Sequence, residues 1–178
     1  MLENSNVAVI GDALQDTHVA FFERNQLSVK CFPKSGNGIH LLDHQQACKY
    51  ALQQKYFGTF IFDETCKFSK EFFVMFREFC QSVEQNKSGE IFYLGSENFG
   101  PTIGRPKKKG VSIVCSTFNT THHAYYIRGT GLRKLADVTL SGGVSDVIYM
   151  TMGLRKWSAV PSLVSRKEIT GLVAPLVL

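Results

Sequence analysis

Short apolar runs alternate with longer amphipathic stretches in the first part of the chain. Residues 7–10 and 60–62 are continuous apolar runs, which is typical of parallel strands that helices cover on both faces. Residues 29–32 alternate between apolar and polar positions like a strand, and residues 17–26 place apolar side chains at helical spacing. This order of strand, helix and strand predicts an opening βαβ unit and a parallel sheet.

The same alternation continues along the rest of the chain. Residues 70–85 predict the strongest helix, with an apolar face that packs in the core and is formed by Phe72, Phe73, Phe76, Phe79 and Val83. Residues 96–110 are rich in glycine, proline and lysine, and residues 161–178 show little regularity. The other predicted elements are helices at 41–55, 129–136 and 144–152, and extended segments at 91–94, 111–115, 124–127 and 157–160.

Two adjacent carboxylates, Asp63 and Glu64, close the apolar run at residues 60–62. Ligands of open α/β sheets collect at the carboxyl ends of parallel strands, where acids can hold a metal ion or contact a polar ligand. The alternative is that both acids begin the next helix, where negative charge suits the helix dipole. The residues themselves leave both interpretations open.

The composition indicates an ordinary globular protein with a single domain over residues 1–178, because 44% of the residues are hydrophobic and 20% are charged. The five cysteines are scattered and form no CxxC pair, which favours reduced thiols and argues against a zinc ribbon. The N-terminus lacks a signal-peptide pattern, and no apolar run approaches the roughly 20 residues of a membrane helix. We expect a soluble, cytoplasmic protein without a transmembrane segment.

The formal net charge of +5 favours partners that carry negative charge, such as nucleotides, nucleic acid or an anionic membrane surface. Much of the excess lies in residues 105–109, a basic run between Gly104 and Gly110. The flanking glycines predict an exposed loop.

Several short stretches between residues 40 and 165 stand out together. They are residues 41–52, which include Asp43 and His44, and residues 61–72, 91–95, 120–127, 145–146 and 161–164. In their order along the chain they resemble the motifs of family 25 glycosyltransferases, the lipopolysaccharide-type sugar transferases with small viral and phage members. His44 is retained in a helix that usually carries Ser-His in this family, with Asp43 where serine is usual.

The resemblance implies a GT-A-like α/β sandwich that binds a nucleotide sugar, with a mostly parallel central sheet flanked by helices. It also implies that Asp63 and Glu64 bind a divalent ion, Mn²⁺ or Mg²⁺, beside the donor diphosphate. Hard cations prefer such carboxylate oxygens and can neutralise a departing diphosphate. Thr65 stands where the family has a further acid, so the positive charge could instead come from residues 107–109, Lys107 included, or from Arg128.

Two catalytic candidates follow from the same resemblance. Asp146 is the candidate base that would deprotonate the acceptor hydroxyl, and its alternative role is to cap a helix. His122 and His123 precede an apolar strand, and at most one of them can face the site because neighbouring strand residues point to opposite sides. His122 matches the family pattern better, and a structural histidine is the alternative.

The sequence therefore predicts a glycosyltransferase that moves a sugar from a nucleotide donor to an acceptor hydroxyl, that of a glycan, with metal assistance. One alternative is a phage or virus enzyme that modifies a hydroxylated DNA base, with the basic loop along the phosphates. The other is a non-catalytic, degenerate transferase fold that binds nucleotide or nucleic acid, an alternative that Thr65 keeps open.

Overall fold

A computed structural model describes residues 2–12, 14–35, 40–95, 102–103, 109–116, 123–138 and 153–166. The helices in these ranges are α1 (Asp16–Arg24), α2 (His40–Gln53), α3 (Phe72–Gln85) and α4 (Gly129–Asp137). The strands are β1 (Ser5–Ile10), β2 (Ser28–Phe32), β3 (Gly58–Asp63), β4 (Cys66–Phe68), β5 (Ile91–Tyr93), β6 (Thr102–Ile103), β7 (Ser112–Ser116), β8 (Ala124–Arg128), β9 (Lys156–Val160) and β10 (Val164–Arg166). None of these helices is long and apolar enough to cross a bilayer.

The opening βαβ unit is confirmed and extends to a third parallel strand. β1 lies between β2 and β3 and runs parallel to both, with Val7 opposite Val29 on one side and Phe60 on the other. Helices α1 and α2 make the two crossovers. The carboxyl ends of three parallel strands therefore meet at one edge of the sheet, as parallel topology requires.

The prediction of a mostly parallel sheet is wrong, because the eight-stranded sheet of the described chain is mixed. Its order is β2-β1-β3-β8-β5-β9-β7-β6. β8 runs antiparallel between β3 and β5, and β7 runs antiparallel to both of its neighbours. A buried strand of either direction reads as an apolar run, so the sequence pattern located the strands without giving their direction.

Helices cover both faces of this sheet. α1 and α3 pack on the face of β1 that presents Val7 and Val9, while α2 and α4 pack on the face that presents Ala8 and Ile10. The predicted core face of α3 is confirmed for Phe72, Phe76, Phe79 and Val83, which are fully buried. Phe73 is the exception at 38% exposed, because successive helical residues lie about 100° apart around the axis.

A short second sheet follows the two acids. β4 begins at Cys66 and pairs antiparallel with β10, so Asp63 and Glu64 lead into a strand and do not begin the next helix. The interpretation of these acids as helix-start residues is therefore wrong. β10 also shows regular structure in a segment predicted to have little, and the helix predicted at 144–152 lies outside the described residues.

Candidate functional site

The carboxyl edge of the parallel strands brings together residues that are distant in the sequence. Asp12 follows β1, Lys34 follows β2, and Asp63 and Glu64 lie at the end of β3. β8 begins at the same edge, since Phe62 pairs with Ala124. In open α/β sheets this is the edge at which ligands bind.

Asp63 is held rigidly at the end of β3. Its side chain is buried, with the residue 6% exposed. Its Oδ1 accepts a hydrogen bond of 2.9 Å from the backbone N–H of Thr65, and its own backbone N–H donates to the carbonyl of His123 at 2.8 Å. These bonds turn the chain sharply after β3 and keep the Asp63 carboxylate next to Lys34.

Glu64 connects the ends of the three parallel strands. Its backbone N–H donates to the carbonyl of Ile10, and its Oε2 accepts a 3.3 Å bond from the backbone N–H of Asp12. Its Oε1 lies 2.6 Å from Lys34 Nζ. Gly11 permits this arrangement, because its φ is +103° and an added Cβ would lie 2.2 Å from Oε2.

Lys34 is a cation at this edge, and the sequence analysis did not identify it. Its Nζ lies 2.6 Å from Glu64 Oε1 and 3.9 Å from Asp63 Oδ1. Burial disfavours the charged form, but the hydrogen bond with Glu64 and the charges of Asp63, Glu64 and Asp43 outweigh it and raise the pKa of Lys34. Lys34 is therefore an ammonium at neutral pH. Its place just after a predicted parallel strand was the signal that could have identified it.

A cavity of about 520 Å³ opens beside the acids. Its polar lining includes Asp12, Glu64 and Thr65, and its apolar lining includes His18 and Phe68, whose rings are 4.2 Å apart between centroids. Burial lowers the pKa of His18, which favours the neutral imidazole at pH 7. The cavity thus combines hydrogen-bonding carboxylates with an aromatic surface, a combination suited to a ligand with hydroxyls and a flat ring.

These residues do not fit a divalent ion as they are arranged. Both carboxylates face Lys34, and the oxygens of Glu64 already contact its ammonium and the backbone N–H of Asp12. In the described ranges, no group of three or more His, Cys, Asp or Glu side chains is placed to hold a metal. The metal site implied for Asp63 and Glu64 stays a prediction that would require Lys34 to move.

Arg128 does not lie with the acids. It ends β8, which is antiparallel to β3, and it pairs with Gly58 at the opposite edge of the sheet. The separation from Asp63 along β3 is roughly 16 Å, since each strand residue advances about 3.3 Å. The Arg128 guanidinium is buried there and donates hydrogen bonds to the carbonyls of Val83, Asn86 and Gly89.

Three further candidates, Lys107, His122 and Asp146, lie outside the described residues, so the roles proposed for them stay predictions. His123 is described and buried, and its carbonyl joins β8 to the end of β3. His44 is also buried, and its Nδ1 is 2.7 Å from the hydroxyl of Tyr125. His44 therefore lies in the core, on the face of the sheet that α2 covers.

Neither a protein-family model nor a curated protein matches the sequence. Among solved structures, the chain is similar to the one described as the crystal structure of A197 from STIV, with a TM-score of 0.57. The match covers 87% of this chain and 81% of that chain, at 12% sequence identity. At this identity the likeness shows a shared α/β fold, with a mixed sheet flanked by helices, and it carries no information about activity.

Proposed function

We propose that the protein is a glycosyltransferase that binds a nucleotide sugar at the carboxyl edge of β1, β2 and β3. The observation that carries this proposal is the position of Glu64, which lines an open cavity together with Asp12 and Thr65. The order of motifs similar to family 25 glycosyltransferases supports it, since the acids of that pattern are the ones beside this cavity. A sheet covered by helices on both faces is also the architecture that a GT-A-like fold requires.

The chemistry of a nucleotide sugar suits the two kinds of surface in the cavity. Carboxylates such as Glu64 and Asp12 accept hydrogen bonds from sugar and ribose hydroxyls. The rings of His18 and Phe68 offer an apolar surface to a flat base. The acceptor hydroxyl must lose a proton during transfer, and Asp146 remains the predicted base for this step.

A second candidate function is nucleotide binding without catalysis. The ion pair between Lys34 and Glu64 favours it, because a carboxylate already neutralised by a lysine is a poorer metal ligand than a free one. Thr65 supports the same alternative, since it supplies no charge where the family has an acid. The DNA-modifying alternative depends on the loop around Lys107, which lies outside the described residues.

The first experiment is a thermal-shift screen of nucleotide sugars, with Mn²⁺ and with EDTA. A ligand that binds only the native state raises the melting temperature, by an amount that grows with occupancy. We expect a shift with at least one donor, and we expect Glu64→Gln, which removes the charge of a carboxylate that lines the cavity, to abolish it. Asp137→Asn is the matched control, because Asp137 is exposed on α4 and its change should leave the shift intact.

Turnover then separates the two candidate functions. Release of free nucleotide from the donor that gives the shift, lost in Glu64→Gln, supports a transferase. A donor that shifts the melting temperature but shows no turnover with any metal or acceptor tested supports the non-catalytic alternative. No shift with any donor in either condition would contradict nucleotide-sugar binding altogether.

A further inference from the structure

The two carboxylates at the end of β3 already share a cation. Lys34 Nζ is 2.6 Å from Glu64 Oε1 and 3.9 Å from Asp63 Oδ1, so the ammonium lies on the side of both acids where a common ion would bind. The acids cannot easily turn elsewhere. Asp63 is fixed by the N–H of Thr65, and Glu64 is confined between Gly11 and the N–H of Asp12.

A divalent ion bound to both acids would have to lie where the Lys34 ammonium already lies. Mn²⁺, Mg²⁺ and Ca²⁺ bind carboxylate oxygens at about 2.0 to 2.6 Å, which is the range in which the Lys34 ammonium already approaches Glu64. A metal bound to both acids would therefore lie against a positive charge in a half-buried place. Electrostatic repulsion between the two cations disfavours that arrangement.

We propose that Lys34 is the resident cation of this site, in place of a divalent ion, and that it binds the diphosphate of the nucleotide ligand without metal. This proposal rests on the proposed function. An ammonium has three N–H donors, and Lys34 uses one in a hydrogen bond to Glu64 among the described residues. Its side chain is 31% exposed, and its ammonium contacts Glu64, which lines the cavity, so a phosphate group at the margin of the cavity can reach it.

The first test uses Mn²⁺ alone and needs no nucleotide. Electron paramagnetic resonance measures free Mn²⁺ during titration of the wild type, Lys34→Met, and Lys34→Met combined with Asp63→Asn. We expect Lys34→Met to bind Mn²⁺ at least tenfold more tightly than the wild type, because it removes the ammonium that competes with a metal for the two acids, and we expect the double variant to lose this gain. Lys30→Met, which removes the same charge from an exposed position of β2, should behave like the wild type.

The second test is calorimetry with UDP, GDP, ADP and CDP in EDTA. We expect at least one diphosphate to bind the wild type without metal, and Lys34→Met to weaken that binding about tenfold while Lys30→Met does not. Equal Mn²⁺ affinity in the wild type and Lys34→Met, or diphosphate binding that requires Mn²⁺ in the wild type, would overturn the proposal. If none of the four diphosphates binds, with or without Mn²⁺, both diphosphate binding and the proposed function are overturned. The manganese titration still decides separately whether Lys34 occupies the cation position.

Discussion

A cation lies among oxygen atoms at each of two opposite edges of the sheet, but the surroundings differ. At the edge where β3 ends, Lys34 faces the carboxylates of Asp63 and Glu64, next to an open cavity. At the other edge, Arg128 is 8% exposed, donates to three backbone carbonyls and lies 4.9 Å above the ring of Phe92.

The difference separates a structural cation from one that can exchange partners. One carbonyl bound by Arg128, that of Val83, lies in the last turn of α3, and the other two follow the end of this helix. Backbone acceptors at a helix end lack intrahelical donors, so Arg128 completes the fold. Burial lowers the pKa of Arg128, yet a guanidinium remains charged at neutral pH. Lys34 instead contacts side chains at a half-exposed position, where water or a ligand can compete. Only the second arrangement is suited to binding.

The largest expected effect is at the Arg128 edge. Arg128→Met should lower the free energy of unfolding by about 3 kcal/mol, because it removes three charge-assisted hydrogen bonds to backbone carbonyls, two of them buried. Urea denaturation measures the change. Arg133→Met is the control, since Arg133 is exposed on α4 and should cost less than about 0.5 kcal/mol. Equal effects of the two substitutions would contradict the structural role of Arg128.

The second effect tests how tightly Glu64 is held. Gly11→Ala should cost about 2 kcal/mol, because the positive φ is unfavourable for alanine and the new Cβ meets the Glu64 carboxylate. Gly153→Ala isolates the backbone contribution, since Gly153 has a φ of +80° and no atom of the described residues lies within 4 Å of its missing Cβ, and it should cost about 1 kcal/mol. Urea denaturation gives both values. The excess at Gly11 should shrink but not vanish when Glu64→Ala is added, because this change removes the carboxylate and leaves the Cβ of residue 64 at 2.9 Å from the new Cβ. An unchanged excess would argue against the close contact.

The third effect depends on pH and involves Glu90, the residue that directly precedes β5. Burial favours its protonated form, but hydrogen bonds from Thr130 and the Arg155 N–H, with the charges of Lys134 and Arg155, outweigh burial and lower the pKa of Glu90. A carboxylate with a lowered folded-state pKa stabilises the protein above its unfolded pKa and loses this contribution as the pH falls through the folded value.

Glu90→Gln should therefore destabilise the protein by about 1 kcal/mol at pH 7, through weakened charge-assisted hydrogen bonds. The difference from the wild type should shrink as the pH falls below about 4. Chemical denaturation of both proteins, at pH 7 and below pH about 4, measures the difference in free energy of unfolding. A difference that stays constant or grows on acidification would contradict the stabilising role of the charged form.

The smallest expected effect completes the comparison of the two cations. Lys34→Met should change the free energy of unfolding by only about 0.5 kcal/mol, because partly exposed ion pairs are screened and contribute little. Urea denaturation of Lys34→Met and of Arg128→Met under the same conditions gives the two changes in free energy of unfolding to be compared. A loss as large as that of Arg128→Met would show that Lys34 is structural and not an exchangeable cation.

The spacing of apolar residues along the sequence was sufficient to predict most of the helices and strands that the structure describes. The strands near residues 7–10, 29–32 and 60–62 and the core face of α3 follow from apolar spacing, because burial imposes that spacing whatever the neighbouring elements are. The candidate acids Asp63 and Glu64 were also visible in the sequence, since they directly follow a buried strand. β4 was not, because three residues are too few to show a period.

The sequence alone determined an α/β chain with its acids at a strand end and a cation-rich composition. Only the tertiary structure decided which cation meets those acids. Strand direction places Arg128 at the far edge, and the parallel pairing of β1 with both neighbours brings Lys34 to Glu64 across 30 positions of sequence. Direction and pairing arise from contacts between distant segments, and a local pattern of apolar and polar residues does not contain them.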